Sequence, residues 1–219
     1  GLPMMASVGV VPDSVLDKFV AAGVDWYACY QETYNRQLFD KLRVGQSFQA
    51  RYQSKMAAKA KGMLVEEGLL CGVGETSQGL MNSINAMSQL SPDQVRVMTF
   101  VPQTGTPMYD YSPSSSLREM VAIALMRIAY PELLIPASLD VDGLAGLKMR
   151  LDAGANVITS LVPPGQGLAG VAQSGLDIEE GRRTSEGIAS ILRSCGLQAA
   201  TADHYLKWIA ERKRKIVYI

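Results

Sequence analysis

The sequence predicts a parallel α/β fold, a barrel of about six β/α units. Three observations predict it. Short apolar runs alternate with helix-period segments along the whole length. Several of these runs are apolar on both faces, as strands covered by helices on either side must be. No glycine-rich phosphate turn follows the first run, which weighs against a dinucleotide-binding open sheet. Strand–helix units of roughly 20 to 40 residues fit a parallel crossover arrangement.

The elements follow in order. Strands are predicted at 3–8, 25–30, 63–71, 95–101, 133–139 and 156–162. The first helix covers 13–22, with Val15, Leu16, Phe19 and Val20 inward and Gly23 as its C-terminal cap. The second starts after Ser47 and ends at Gly62, and the third carries Leu80, Ile84, Met87 and Leu90 at helical spacing. Ser114, Ser115 and Ser116 are N-cap candidates for a fourth helix, which presents Leu117, Val121, Ala124, Leu125 and Ile128 and stops at Pro131. A fifth begins near Asp142, packs Leu144, Leu147 and Leu151, and ends at Gly154. A helix over 177–196 places Ile188, Ile191 and Leu192 inward. A last one runs from about Ala202, and the basic run 211–215 reads as a solvated end.

A closed barrel needs eight such units in about 250 residues. Six units leave two unaccounted for and would expose two raw sheet edges. Either the sheet stays open, or partner chains cover it by self-association, or more sequence lies in front.

Composition narrows the function classes. The chain has 219 residues and is 47% hydrophobic, enough for one large core. Its 21 basic and 21 acidic residues balance, so no global field draws nucleic acid or an anionic membrane. No apolar run approaches the roughly 20 residues that cross a bilayer. The first residues lack the basic flank and apolar segment of a signal peptide, so a cytoplasmic location is expected. Cys29, Cys71 and Cys195 are isolated, offer no metal spacing, and read as structural. Trp26 and Trp208 read as packing residues, and the lone His204 is not a catalytic candidate.

Chemistry is expected where strands give way to loops. Glu32 follows a predicted strand end, and Arg51 lies in the first turns of the next helix. Facing one mouth, the pair could bind the ammonium and carboxylate of an amino acid; otherwise they form an ordinary ion pair. The run 68–75 (GLLCGVGE) is a strand entering a glycine turn. There Gly72 and Gly74 would let the backbone approach a flat ligand, or Glu75 simply sits near a helix N-terminus. Arg96, within an apolar strand, needs either a structural acid or a carboxylate ligand. Ser138 and Asp140 flank Leu139 and point the same way, both able to hydrogen-bond an ammonium; alternatively Asp140 or Asp142 caps the next helix, Asp142 being the better cap.

Three segments carry a resemblance: Tyr30, Gln31, Glu32 and Thr33; the run 68–75; and the run 135–140 (IPASLD). With Arg51 they resemble the S-adenosylmethionine (SAM) binding elements of the biotin-synthase-like group of radical SAM enzymes. Leu70 stands where the usual GxIxGxxE motif has isoleucine. The strand 96–100 and the preceding run 41–48 bring the likeness nearest to the methylornithine synthase family, over nearly the whole chain to about Ala200. The resemblance implies that Glu32 and Arg51 hold the methionyl group of SAM, that Gly72 and Glu75 belong to the adenine-supporting motif, and that Arg96, Ser138 and Asp140 contact the substrate. It implies conversion of L-lysine to (3R)-3-methyl-D-ornithine for pyrrolysine, using SAM and a [4Fe–4S] cluster. It places 1–200 as strands three to eight of a partial barrel, with 201–219 a C-terminal helix and basic extension. The family's CxxxCxxC loop is not found in this sequence, so no metal ligand and no catalytic residue is assigned, and the chain alone is expected to be inactive. Two other readings stay open: a related radical SAM enzyme with another substrate, and a non-catalytic α/β ligand-binding module.

Overall fold

In the computed structural model of the chain, residues 2–112, 114–163, 165, 178, 180 and 182–216 are described. They form two compact units: residues 1–97 with 201–219, and residues 98–200. Each sheet is parallel where its register is defined. The first has strand order β1 (Met5–Ala6), β2 (Trp26–Ala28), β3 (Leu64–Cys71) and β4 (Gln94–Thr99). Trp26 lies opposite both Met5 and Leu64, which fixes the register across β2. The second sheet pairs β5 (Pro136–Ser138) with β6 (Val157–Thr159), Ser138 lying opposite Thr159. All six expected strands are present, several shortened to their paired residues. A parallel α/β architecture therefore stands, in two hydrogen-bonded sheets.

In the first unit, helix α1 (Asp13–Ala21) ends in a left-handed Gly23, at φ +78°, as a C-terminal glycine does without steric cost. Helix α3 (Phe48–Ala60) starts at Ser47, whose hydroxyl accepts from the Ala50 amide at 3.1 Å. Helix α4 (Ser77–Met87) is capped in the same way by Thr76. Between β2 and α3 lies a helix the apolar pattern did not indicate, α2 (Arg36–Leu42). Its signal is Asn35, an N-cap bonded to the Leu38 amide at 3.1 Å. Seven residues are too few for periodicity to show. Leu16, Tyr27, Cys29, Ala58, Met63, Val65 and Leu90 form the core between sheet and helices, whereas Val20 is exposed.

The last helix, α8 (Ala202–Ile216), belongs to this first unit. Trp208 stacks on Trp26 with ring centroids 6.0 Å apart and planes 9° from parallel. Arg212 pairs with buried Asp93 at 2.8 Å and Lys213 with Asp25 at 2.6 Å. The basic run is thus not simply a solvated end. Asp93 spends its other oxygen on the Val65 amide, so a strand and the last helix share one carboxylate.

In the second unit, helix α5 (Ser116–Ala129) is capped by Ser115. Its buried face is Glu119, Ala122, Ile123 and Met126, not the stripe the sequence suggested: Leu117 and Ile128 are 64% and 79% exposed. The face is set by charge. Glu119 accepts from Arg150 Nε at 2.6 Å and from the Thr99 amide and hydroxyl at 3.0 and 2.6 Å. Arg150 lies on α6 (Leu147–Asp152), preceded by a 3-10 turn, Gly143–Gly146. Asp142 does not cap this segment with its side chain. It accepts instead from Arg150 and from Ser116 Oγ, each at 2.8 Å. Burial alone would lower the Arg150 guanidinium, but its bonds to Glu119 and Asp142 raise it overall. Helix α7 (Ser185–Ser194) follows, capped by Thr184, with Ile188 and Leu192 buried; it starts later than the expected 177, because 182–184 are not helical and Thr184 caps it, while 177, 179 and 181 lie outside the described residues. No helix among the described residues is long and apolar enough to cross a membrane.

A buried pair costs most when one partner is removed. Glu119→Ala is expected to destabilise the protein by about 3–5 kcal/mol, whereas Glu119→Leu with Arg150→Met should cost less, about 1–3 kcal/mol, the remainder coming from the Thr99 donors left without an acceptor. Urea denaturation of the two variants checks this; equal losses would show that the ion pair is not what α5 depends on.

Candidate functional site

The first group of residues stands at the ends of β2 and β3. Past β2 the chain turns through Glu32, whose φ of +64° is left-handed and uncommon for a side chain of this kind. Two backbone bonds hold it there, Glu32 N–H to Gly68 O at 3.0 Å and Leu70 N–H to Glu32 O at 2.9 Å. Its carboxylate, 12% exposed, pairs with Arg43 just past the end of α2. Burial pushes the Glu32 carboxyl above its ordinary range, and the Arg43 charge works against that shift.

Arg51 does not pair with Glu32. Its Nε donates to Tyr30 O at 2.9 Å and its Nη1 to Gln46 Oε1 at 2.8 Å, so it clamps the end of the strand. Behind the clamp is a network that sequence reasoning missed. Lys55 and Glu67, both fully buried, form an ion pair. Glu67 also accepts from the Gln31 amide (2.8 Å), the Gly68 amide (2.8 Å) and Tyr34 Oη (3.0 Å), and Lys55 donates to Gln31 Oε1 at 2.9 Å. The signal was present, since two adjacent glutamates inside an apolar strand must each find partners.

On the other face of β3, Glu66 accepts from Arg96 Nε (2.8 Å), Gln94 Nε2 (2.6 Å) and Tyr30 Oη (2.8 Å). Arg96 therefore has a structural acid. Burial, with Glu66 beside it, raises the Tyr30 hydroxyl, which stays protonated and donates. Gly68 is required by this packing: a Cβ there would come within 2.7 Å of the Tyr30 ring. The glycine turn that follows folds back on itself. Glu75 accepts from the Gly72 amide at 3.0 Å and the Val73 amide at 2.9 Å, with Gly72 and Gly74 at φ +86° and +101°. At Gly74 a Cβ would meet nothing within 4 Å, so its backbone angle is what calls for glycine.

A cavity of about 570 Å³ opens against this region, lined by Tyr30, Arg43, Gln46, Ser47 and Arg51 among others. Two arginines line it, and the Glu32 carboxylate is bonded to one of them, a charge set able to receive a zwitterionic ligand. Both guanidinium groups already have partners in the chain: Glu32 for Arg43, and Tyr30 O with Gln46 for Arg51. Among the described residues no group of three or more His, Cys, Asp or Glu side chains could hold a metal ion, and Cys29 and Cys71 are buried.

The second group belongs to the other unit. Ser138 ends β5, and Asp140 lies two residues on. The Asp140 amide donates to Ser138 Oγ at 3.3 Å, and Asp140 Oδ2 lies 3.2 Å from that hydroxyl. The structure adds two residues that the sequence did not single out. Ser160, after β6, donates to Asp140 Oδ2 at 2.7 Å, and fully buried Arg183 stands 3.9 Å from Oδ1. Neither belongs to a motif, and only their strand-end and loop positions could have suggested them.

No protein-family model matches the chain. It is 44% identical to 3-methylornithine synthase of Methanosarcina acetivorans over 200 residues, 91% of this chain and 57% of that protein. A crystal structure of methylornithine synthase superposes with a TM-score of 0.88 and 42% identity, covering 94% of this chain and 61% of the other. Biotin synthase of Frankia alni is 28% identical over 73% of this chain and 48% of its own. The chain thus spans a little under three fifths of the methylornithine synthase sequence it matches. On that identity over nine tenths of its length and that superposition, the chain belongs to the radical SAM family, in the branch that includes 3-methylornithine synthase and biotin synthase.

Proposed function

We propose that this chain is the cofactor- and substrate-binding part of a radical SAM mutase that converts L-lysine to (3R)-3-methyl-D-ornithine for pyrrolysine, built on a partial (β/α) barrel. The observation that carries the reading is the Glu32 loop. A glutamate held left-handed by two strand bonds and paired with one of the two arginines that line a cavity of about 570 Å³ supports the reading of a receptor for an amino-acid head group, which would exchange these internal partners for the ligand. Glu32 would take the ammonium of SAM and Arg51 its carboxylate, while the turn of Gly72 and Glu75 supports the adenine. When bound, SAM supplies the source of the radical that begins the reaction. The chain's own work is to orient: Lys55 and Glu67 fix the strand ends, and Arg51 fixes Tyr30 O. Arg96, Ser138 and Asp140 would hold the amino-acid substrate, with Glu66 setting the position of Arg96.

The test uses the full-length protein, prepared anaerobically with iron and sulfide and given SAM, reductant and L-lysine. A SAM-dependent lysine isomer in the mass spectrum is the expected result. SAM cleavage without the isomer would keep the radical chemistry and overturn the substrate. Failure to assemble a cluster would favour a ligand-binding module.

Two further outcomes follow from the geometry. Arg51→Ala should weaken SAM binding about 10- to 100-fold, by calorimetry, through loss of a charged donor and release of the strand end. Because burial raises the Glu32 carboxyl above 4.5, the folded protein holds that proton more tightly than the unfolded chain. The associated stability is complete at low pH and is lost as pH rises through the raised value. Arg43→Ala removes the compensating cation, so it should cost about 1–3 kcal/mol at neutral pH and much less below about pH 4. Thermal midpoints of Arg43→Ala and Glu32→Gln across that range check the sign.

A further inference from the structure

We propose that Ser160 is a substrate-positioning residue that acts through Asp140, choosing which carboxylate oxygen is presented to an amino-acid ammonium. The proposal rests on the reading in which Ser138 and Asp140 hold the substrate. Among the described residues, three non-glycine residues have left-handed backbones: Glu32, Ser91 and Ser160. Ser91 ends a 3-10 helix, where this conformation is common. Ser160 follows a strand, at φ +66°, with no helix end to account for it.

The turn delivers a hydroxyl. Ser160 Oγ lies 2.7 Å from Asp140 Oδ2, shorter than the 3.2 Å from Ser138 Oγ to the same atom, and the two hydroxyls are 3.4 Å apart. Each serine has one proton to give, and both face Oδ2. That oxygen is thereby filled with two donors. Oδ1 accepts no hydrogen bond among the described residues; its neighbour is the Arg183 guanidinium at 3.9 Å. Arg183 is tied to the same loop, because its carbonyl accepts the Val162 amide at 2.8 Å. An ammonium arriving at Asp140 would therefore meet Oδ1, beside the Arg183 guanidinium, in an orientation that the Ser160 hydroxyl bond helps to fix. Without the Ser160 hydroxyl, Asp140 keeps its charge but loses the stronger of the two bonds that set its rotation.

The experiment measures L-lysine binding by calorimetry to the full-length protein and to Ser160→Ala, Ser160→Gly, Asp140→Asn and Ser160→Ala/Asp140→Asn, with thermal midpoints recorded for each. Glycine removes the hydroxyl while easing the backbone, so its midpoint should equal or exceed that of alanine. Both single serine variants are expected to bind lysine about tenfold more weakly. In the Asp140→Asn background the serine change should add less than about twofold, because the residue acts through the carboxylate. Wild-type affinity in Ser160→Ala and Ser160→Gly, with Asp140→Asn weakened, would overturn the role of Ser160 and leave the proposed substrate site standing. Fully additive losses would show that Ser160 does not act through Asp140 and would also overturn it. A wild-type protein that binds no lysine would overturn the substrate reading and this inference with it.

Discussion

Two adjacent carboxylates lie in the middle of β3, one on each face of the sheet, and much of the first unit is arranged to satisfy them. Successive side chains of a strand point opposite ways, so Glu66 and Glu67 cannot share partners. Glu67 gathers Lys55 from α3, Tyr34, and the amides of Gln31 and Gly68. Glu66 gathers Arg96, Gln94 and Tyr30. A buried charge lacking its partners costs several kcal/mol, so every one of these groups is constrained in direction as well as in place. The strand ends that carry Glu32 and Tyr30 inherit that constraint. Their positions are set from beneath, with Tyr30 both bonded to Glu66 and lining the cavity.

The second unit solves the same problem once, with Glu119 and Arg150. The pair links α5, α6 and the end of β4, and through Asp142 it reaches the loop that leaves Asp140. Both units thus place a satisfied ion pair one layer behind a strand end that carries candidate site residues. Such pairs add little net stability over apolar packing, but they specify geometry by admitting few alternative arrangements.

What the sequence made legible was what depends on local pattern. Leu80, Ile84, Met87 and Leu90 are buried at the spacing that predicted them, and Ser47 and Thr76 cap their helices. The failures occurred where charge overrode hydrophobicity. Leu117 and Ile128 looked like the inward face of α5, yet Glu119 had a buried guanidinium to meet and turned the helix around it. Arg212 and Lys213 looked solvated because Asp93 and Asp25, their partners, lie far away in sequence. At the candidate site, Glu32 and Asp140 were visible from their places at strand ends, and Arg51 from its place in the first turns of α3. Arg43, Lys55 and Ser160 were not, because each matters through a contact made only when distant segments come together.

The docking of α8 onto the first unit has a consequence for synthesis. That unit is discontinuous, closed by residues 201–219 only after 98–200 have been made. Until then Trp26 lacks the Trp208 ring and Asp93 lacks Arg212, so an aromatic surface and a buried acid stay open on the growing chain. A ribosome adding about 5–20 residues per second needs on the order of 5–20 s to cover the intervening stretch. For that interval the start of the chain is a partly finished sheet holding its place, and the second unit has time to fold before the first is sealed.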